Sequence, residues 1–147
     1  MSEPSIVQPA GLVIAPGSGR ELPLVGRMAV SGHQTGGAFE IIEFRGNAAC
    51  PPPHVHRERE ECIQVLEGRF TFTLGEEERE VEPGSWVLVP RGTRHGFTAS
   101  ADARALILVA PAGLEDFFAE LGGGLARGLP TQEIRAGLKG RFDSIPA

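Results

Sequence analysis

Pro51-Pro52-Pro53-His54-Val55-His56-Arg57-Glu58-Arg59-Glu60-Glu61 is the stretch of the chain richest in residues that do chemistry. Two histidines separated by one residue share a face of an extended strand, because strand side chains alternate. Carboxylates follow at Glu58, Glu60 and Glu61, and a third histidine closes Pro90-Arg91-Gly92-Thr93-Arg94-His95. Three imidazoles and one carboxylate make a ligand set for a first-row divalent ion that keeps coordination positions open. The expectation is one divalent transition metal per chain, with His54, His56, Glu61 and His95 as ligands. Such donors accept Ni, Fe, Mn, Co, Cu and Zn alike, so the ligand types do not select the metal. Glu61 is the preferred carboxylate because it heads an apolar strand with Ile63 and Val65 on its own face, and Glu60 is the alternative. Glu58 and Glu60 otherwise read as solvated charges beside Arg57 and Arg59. His33, in a polar turn over 31–37, reads as a solvated loop residue.

These residues need a scaffold that points several side chains into one cavity. Apolar alternation predicts strands over 11–14, 22–30, 38–45, 62–66, 69–74, 79–81, 85–89 and 103–110, separated by Gly and Pro turns. In the third of these, Phe39, Ile41 and Glu43 share a face. Glu67-Gly68 reads as a hairpin turn joining 62–66 to a partner strand over 69–74. The three prolines stiffen the approach to His54, since each fixes its own φ and restricts the residue before it. Residues 1–9 read as a loose arm.

Beyond Pro111 the period changes. Leu114, Phe117, Phe118 and Leu121 stand at helical spacing, with Gly122-Gly123-Gly124 as a stop. Thr131 then caps a second helix running through Leu138, with Glu133 in its first turn and Lys139 at its end. Many short, evenly spaced strands imply an all-β fold, a closed antiparallel double sheet of jelly-roll kind with one or two C-terminal helices. One domain over 1–147 is expected, its barrel over about 11–111 and its helical segment over about 112–141.

The 147 residues are 41% hydrophobic and 22% charged, with a formal net charge of −5 and no basic block. That balance argues against a nucleic-acid partner and leaves a small molecule as the expected ligand. No apolar run approaches the roughly 20 residues of a membrane helix, and Met1-Ser2-Glu3-Pro4 lacks the blocks of a signal peptide. The two cysteines, Cys50 and Cys62, are too few for a disulfide scaffold and read as free thiols of a reducing cytoplasm.

The chain resembles a small single-domain cupin, and more narrowly the quercetin-dioxygenase-like group. The first cupin motif is matched by His54, His56, Glu61 and Gly68, and the second by Gly84, Pro90, Gly92 and His95. Ala48 and Ala99 depart from the Gly and Asn of those motifs, and neither is a ligand position. The resemblance implies a double-stranded β-helix, a homodimer formed by exchange of edge strands, and a metal that binds an enol or flavonol-type oxygen. Glu61 would serve as both ligand and proton acceptor. Ile63, Val65, Phe72, Val87 and Phe97 are the expected apolar walls, or else plain core. Arg91 and Arg94 flank His95 as surface charges, either able to meet an anionic substrate at the mouth. Cys50 either reaches the rim or is an inert thiol, and Trp86 reads as barrel or subunit packing. A metal-dependent dioxygenase on a small phenolic or enol substrate leads. The alternatives are a metal-dependent isomerase or lyase and a non-enzymatic binding module.

Overall fold

Runs in which every second side chain is apolar form strands with one face buried, and this rule generates most of the molecule. The computed structural model describes residues 10–147, so the arm expected over 1–9 lies outside the described residues. In chain order the elements are β1 (Arg20–Leu22), β2 (Gly26–Val30), β3 (Glu40–Arg45), β4 (His54–Val55), β5 (Glu60–Glu67), β6 (Phe70–Leu74), β7 (Glu77–Val81), β8 (Trp86–Val89), β9 (His95–Ala99) and β10 (Arg104–Ala110). Helices α1 (Glu115–Ala126) and α2 (Thr131–Leu138) follow, then a short β11 (Ile145–Pro146). One antiparallel sheet runs β1-β2-β3-β10-β5-β8 and the other β11-β4-β9-β6-β7. The fold is all-β, a double-stranded β-helix with two C-terminal helices, as the strand spacing predicts.

Between the sheets lies an apolar core that includes Ile42, Phe44, Ile63, Val65, Phe70, Phe72, Val89, Ile107 and Val109. Phe44 meets Phe97 edge-on with ring centroids 5.2 Å apart, a favoured aromatic geometry. In β5 the alternation buries Glu61, Ile63 and Val65 and turns Cys62, Gln64 and Leu66 outward. The same alternation that builds the core therefore delivers one carboxylate into it.

Several local expectations are revised. Residues 11–14 do not form a strand, and Leu12 and Val13 stand exposed. The run 22–30 is split: Pro23-Leu24-Val25 turns the chain, with the Val25 N–H donating to the Leu22 carbonyl, so β1 and β2 form a hairpin. In β3 the buried face carries Glu40, Ile42 and Phe44, which leaves Ile41 and Glu43 on the outer side. β5 and β6 are not partners. At Gly68, with φ of 83°, the chain crosses from one sheet to the other, and a Cβ there would sit 2.6 Å from the Ala103 Cα. Close approach to the 100–103 turn requires the glycine, and that approach sends the chain over the barrel edge instead of back along β5.

The glycine tract likewise lies inside α1. A Cβ on Gly122 would be 2.3 Å from the Pro23 carbonyl oxygen, and one on Gly124 would be 2.8 Å from Ile134. The tract is where α1 presses on the β1–β2 turn and on α2. Thr131 makes no N-cap bond; Pro130 holds that position, and the Thr131 hydroxyl donates to the Ala48 carbonyl at 3.4 Å.

Candidate metal centre

His54 opens β4 and pairs in register with His95 at the start of β9, while His56 follows immediately after β4 on the same face as His54. Glu61 reaches the same point from β5 in the opposite sheet. The four side chains converge with their potential ligand atoms all within 4.8 Å of one another, and none is more than 6% exposed. The fallback carboxylate, Glu60, points away: it is half-exposed and ion-paired with Arg91.

Each imidazole has its outer nitrogen committed. His54 Nδ1 lies 3.0 Å from the Pro52 carbonyl, His56 Nδ1 lies 2.5 Å from the Asp143 carbonyl, and His95 Nδ1 lies 2.8 Å from the Thr93 carbonyl. A carbonyl only accepts, so each Nδ1 carries the proton and each neutral ring turns an Nε2 lone pair inward. His54 Nε2 and His56 Nε2 are then 3.2 Å apart with no hydrogen between them. Glu61 Oε2 is 3.1 Å from His56 Nε2 and 2.8 Å from His95 Nε2. Four electron-pair donors facing one point in a buried site require a positive species at its centre, a proton or a metal ion. The residues fit a divalent metal.

Without a metal, the protons distribute unevenly. Burial pushes His54 down to about 3, assisted by the neighbouring His95. Burial also opposes charging His56, but the Glu61 carboxylate and the Asp143 carbonyl outweigh it and hold that imidazole above its ordinary value. Burial acts to raise Glu61, and hydrogen bonds from His56 and His95 reverse this, holding it far below the usual carboxylate range.

Residues 41–111 match the cupin domain family. This segment, just under half of the chain, is similar to a cupin domain. Quercetin 2,3-dioxygenase from Bacillus subtilis (strain 168) is 31% identical over 84 residues, which cover 56% of this chain and 25% of that protein. The chain thus spans about a quarter of the length of this curated relative. Among solved structures, KdgF from Halomonas sp. is 26% identical with a TM-score of 0.48, covering 55% of this chain and 74% of its own. A cupin protein from Bacteroides fragilis is 24% identical with a TM-score of 0.45, covering 52% and 68% respectively.

All four cluster residues fall inside the cupin match, as do Pro52 and Thr93, whereas Asp143 and β11, which support His56 and β4 from behind, do not. The Asp143 carboxylate accepts from the Arg57 N–H at 2.7 Å, the Glu58 N–H at 2.9 Å and Arg59 at 3.1 Å. These bonds fasten the segment whose carbonyl orients His56, while β11 zips onto β4 beside His54. The hydrogen bonds that the Asp143 carboxylate accepts outweigh its burial and keep its pKa low. Sequence inspection missed Asp143, whose sole signal is an acidic residue near the end of an apolar C-terminal segment.

Two spaces that share His54, Arg135 and Ser144 in their linings adjoin the cluster. A narrow inner chamber of about 20 Å³ is lined by Phe44, Phe97, Phe117, Phe118, His54, Glu61 and Arg135 among others. An outer cleft of about 500 Å³ between α2 and β4 is lined by Pro52, Pro53, His54, Gln132, Arg135 and Ser144 among others. Of the five expected apolar walls, Phe97 faces the inner chamber. Ile63, Val65 and Phe72 are fully buried in the core, and Val87 is buried on β8.

Arg135 was not anticipated. It comes from α2, is 6% exposed, and stacks its guanidinium over the Phe117 ring at 5.2 Å. Burial pushes it down to about 10, so it remains charged at neutral pH. Its sequence signal, a lone arginine in a short amphipathic helix, is that of a surface residue.

The other singled-out residues lie elsewhere. His33 is exposed on its loop. Arg91 is taken up by Glu60, and Arg94 donates to the Gly75 carbonyl. Cys50 is half-buried, and burial raises its thiol pKa, which favours the unreactive protonated form. Trp86 and Leu88 project from edge strand β8, 63% and 65% exposed.

Proposed function

We propose that this chain holds one divalent transition metal with His54, His56, Glu61 and His95 and acts as a dioxygenase on a small phenolic or enolic substrate. The observation that carries the reading is the convergence of three Nε2 lone pairs whose Nδ1 partners are all carbonyls. When bound, the metal supplies Lewis acidity and a template that lowers the pKa of a coordinated hydroxyl. The chain's own residues do the rest. Phe44, Phe97, Phe117 and Phe118 close the inner chamber of about 20 Å³, so a ring or enol would sit in the outer cleft of about 500 Å³, where Pro52, Pro53 and Ala136 offer apolar surface beside His54. Glu61 would be a weak base while it holds the metal, and its oxygen not used as a ligand would be the atom that takes a hydroxyl proton. The likeness to quercetin 2,3-dioxygenase supports the oxygenase class.

Elemental analysis of gently purified protein tests the first half, with about one transition metal per chain expected and its loss in His54→Ala and His95→Ala. Oxygen-electrode assays of loaded protein with enols and flavonols test the second. Absence of metal after reloading overturns the proposal. A second reading, a metal-dependent isomerase or lyase, is favoured by the polar groups Arg135, Ser144 and Gln132 at the mouth. Anaerobic substrate conversion without oxygen uptake selects it, and ligand binding without turnover selects a non-enzymatic module.

We also propose a homodimer. Trp86 and Leu88 on β8, with exposed Leu12 and Val13 on the extended N-terminal segment, are apolar surface suited to a second copy. Light scattering that gives a monomer refutes it. Free Cys50 and Cys62 support a reducing, cytoplasmic setting, and no helix among the described residues is long and apolar enough to cross a membrane.

A further inference from the structure

We propose that Arg135 is the anion anchor of the site: the ligand admitted between α2 and β4 carries a carboxylate or enolate oxygen that pairs with this guanidinium beside His54. The inference rests on the metal-centre reading above and adds a substrate class to it, a small organic anion.

Three observations converge on Arg135. It is more than nine-tenths buried, yet among the described residues it makes no ion pair and no side-chain hydrogen bond, and its Nε has no partner at all. Other buried charged groups are matched: Glu40 accepts from the Gly113 and Leu114 N–H groups, and Glu61 is held by two histidines. Arg135 also lines both the inner chamber and the outer cleft, sharing both linings with His54 and Ser144. Finally, the Glu61 carboxylate acts on it only through space: it makes no hydrogen bond to the guanidinium, and its Oε2 is turned to His56 and His95.

A buried charge without a partner is costly, and the face of Phe117 compensates for only part of that cost. A planar guanidinium matches a carboxylate in two parallel hydrogen bonds, which a neutral phenol cannot supply. The site is therefore built to be completed by an anion. Arg91 and Arg94, the cations that flank His95 in sequence, are already engaged and do not compete for this role.

The test compares salicylate with its neutral isostere salicylamide by isothermal titration calorimetry, under argon, on nickel-loaded and metal-free protein. Wild-type protein is expected to prefer salicylate by about tenfold or more in both states, since the anchor belongs to the chain and not to the metal. Arg135→Met, which keeps the volume, is expected to reduce the preference to within about threefold, with metal content and melting temperature retained. Arg135→Lys keeps the charge without the fork and is expected to fall between them. Equal binding of the two probes by the wild type, binding of neither, or a preference that survives Arg135→Met overturns the proposal. The wild-type comparison decides even if Arg135→Met does not fold. If nickel fails to bind but the salicylate preference persists in metal-free protein, the metal-centre reading falls and the anchor stands.

Discussion

Replacing Asp143 by Asn exchanges one oxygen for an amide nitrogen and should disturb the proposed metal centre from outside it. The carboxylate accepts from two backbone N–H groups and one guanidinium, with Glu58 N–H and Arg59 on one oxygen and Arg57 N–H on the other. An amide keeps one acceptor and turns an NH2 group toward donors, so two or one of those bonds are lost according to its orientation. Hydrogen bonds to charged acceptors contribute about 1.5–3 kcal/mol each, and the exposed backbone donors regain water, which places the loss near 2–3 kcal/mol. Arg59, whose Nε already lacks a partner, loses its countercharge. The segment carrying the Asp143 carbonyl then no longer fixes the His56 tautomer, and metal affinity should fall by about 10–100-fold. Urea denaturation of metal-free protein reads the first effect, and competition against a chromophoric chelator reads the second. An Asp143→Asn variant within about 0.5 kcal/mol of wild type and with unchanged metal affinity would show that the tail is an ornament of the barrel.

Neighbouring glycines of α1 should respond oppositely to alanine. Gly122→Ala drives a Cβ into the Pro23 backbone and is expected to cost about 1–3 kcal/mol, whereas Gly123→Ala meets open space and should gain about 0.5–1 kcal/mol in thermal melts. Acid should destabilise the metal-free protein through His54. Its folded pKa of about 3 lies below the ordinary 6.5, so between those values the unfolded chain binds the extra proton. Stability should therefore fall by about 1.4 kcal/mol per pH unit on acidification across that window, and denaturation curves of His54→Gln should show the slope reduced. His56 works in the other direction: its raised pKa adds stability at low pH that disappears as pH rises through the folded value. Glu61→Gln should abolish stoichiometric metal binding while Glu60→Gln leaves it intact, as elemental analysis of the two variants will show.

The convergence of His54, His56, Glu61 and His95 was readable from the chain because it depends on short-range rules. Two residues of separation place His54 and His56 on one face, and one strand period places Glu61 inward with Ile63 and Val65. What could not be read depends on what a residue meets after docking. Asp143 touches His56 across 87 positions, and nothing local to either marks the contact. Gly122 and Gly124 look like a helix stop until Pro23 and Ile134 are seen against them. Glu67-Gly68 carries the same turn signal whether the next strand returns beside β5 or crosses to the other sheet, and only the approach to Ala103 decides it. Arg135 was hidden for the opposite reason: a charged residue in a short helix is assigned to solvent by default, and burial without a partner is a tertiary property.

The β11–β4 pairing also sets an order of events during synthesis. His54, His56 and Glu61 are translated long before the segment that orients His56, and the 87 elongation steps from His56 to Asp143 take about 4–17 s at 5–20 residues per second. Throughout that interval His56 lacks the carbonyl that orients its ring, whereas His54 has its own in Pro52. If the cluster takes a metal as proposed, capture with His56 in its native tautomer would follow the arrival of residues 143–146.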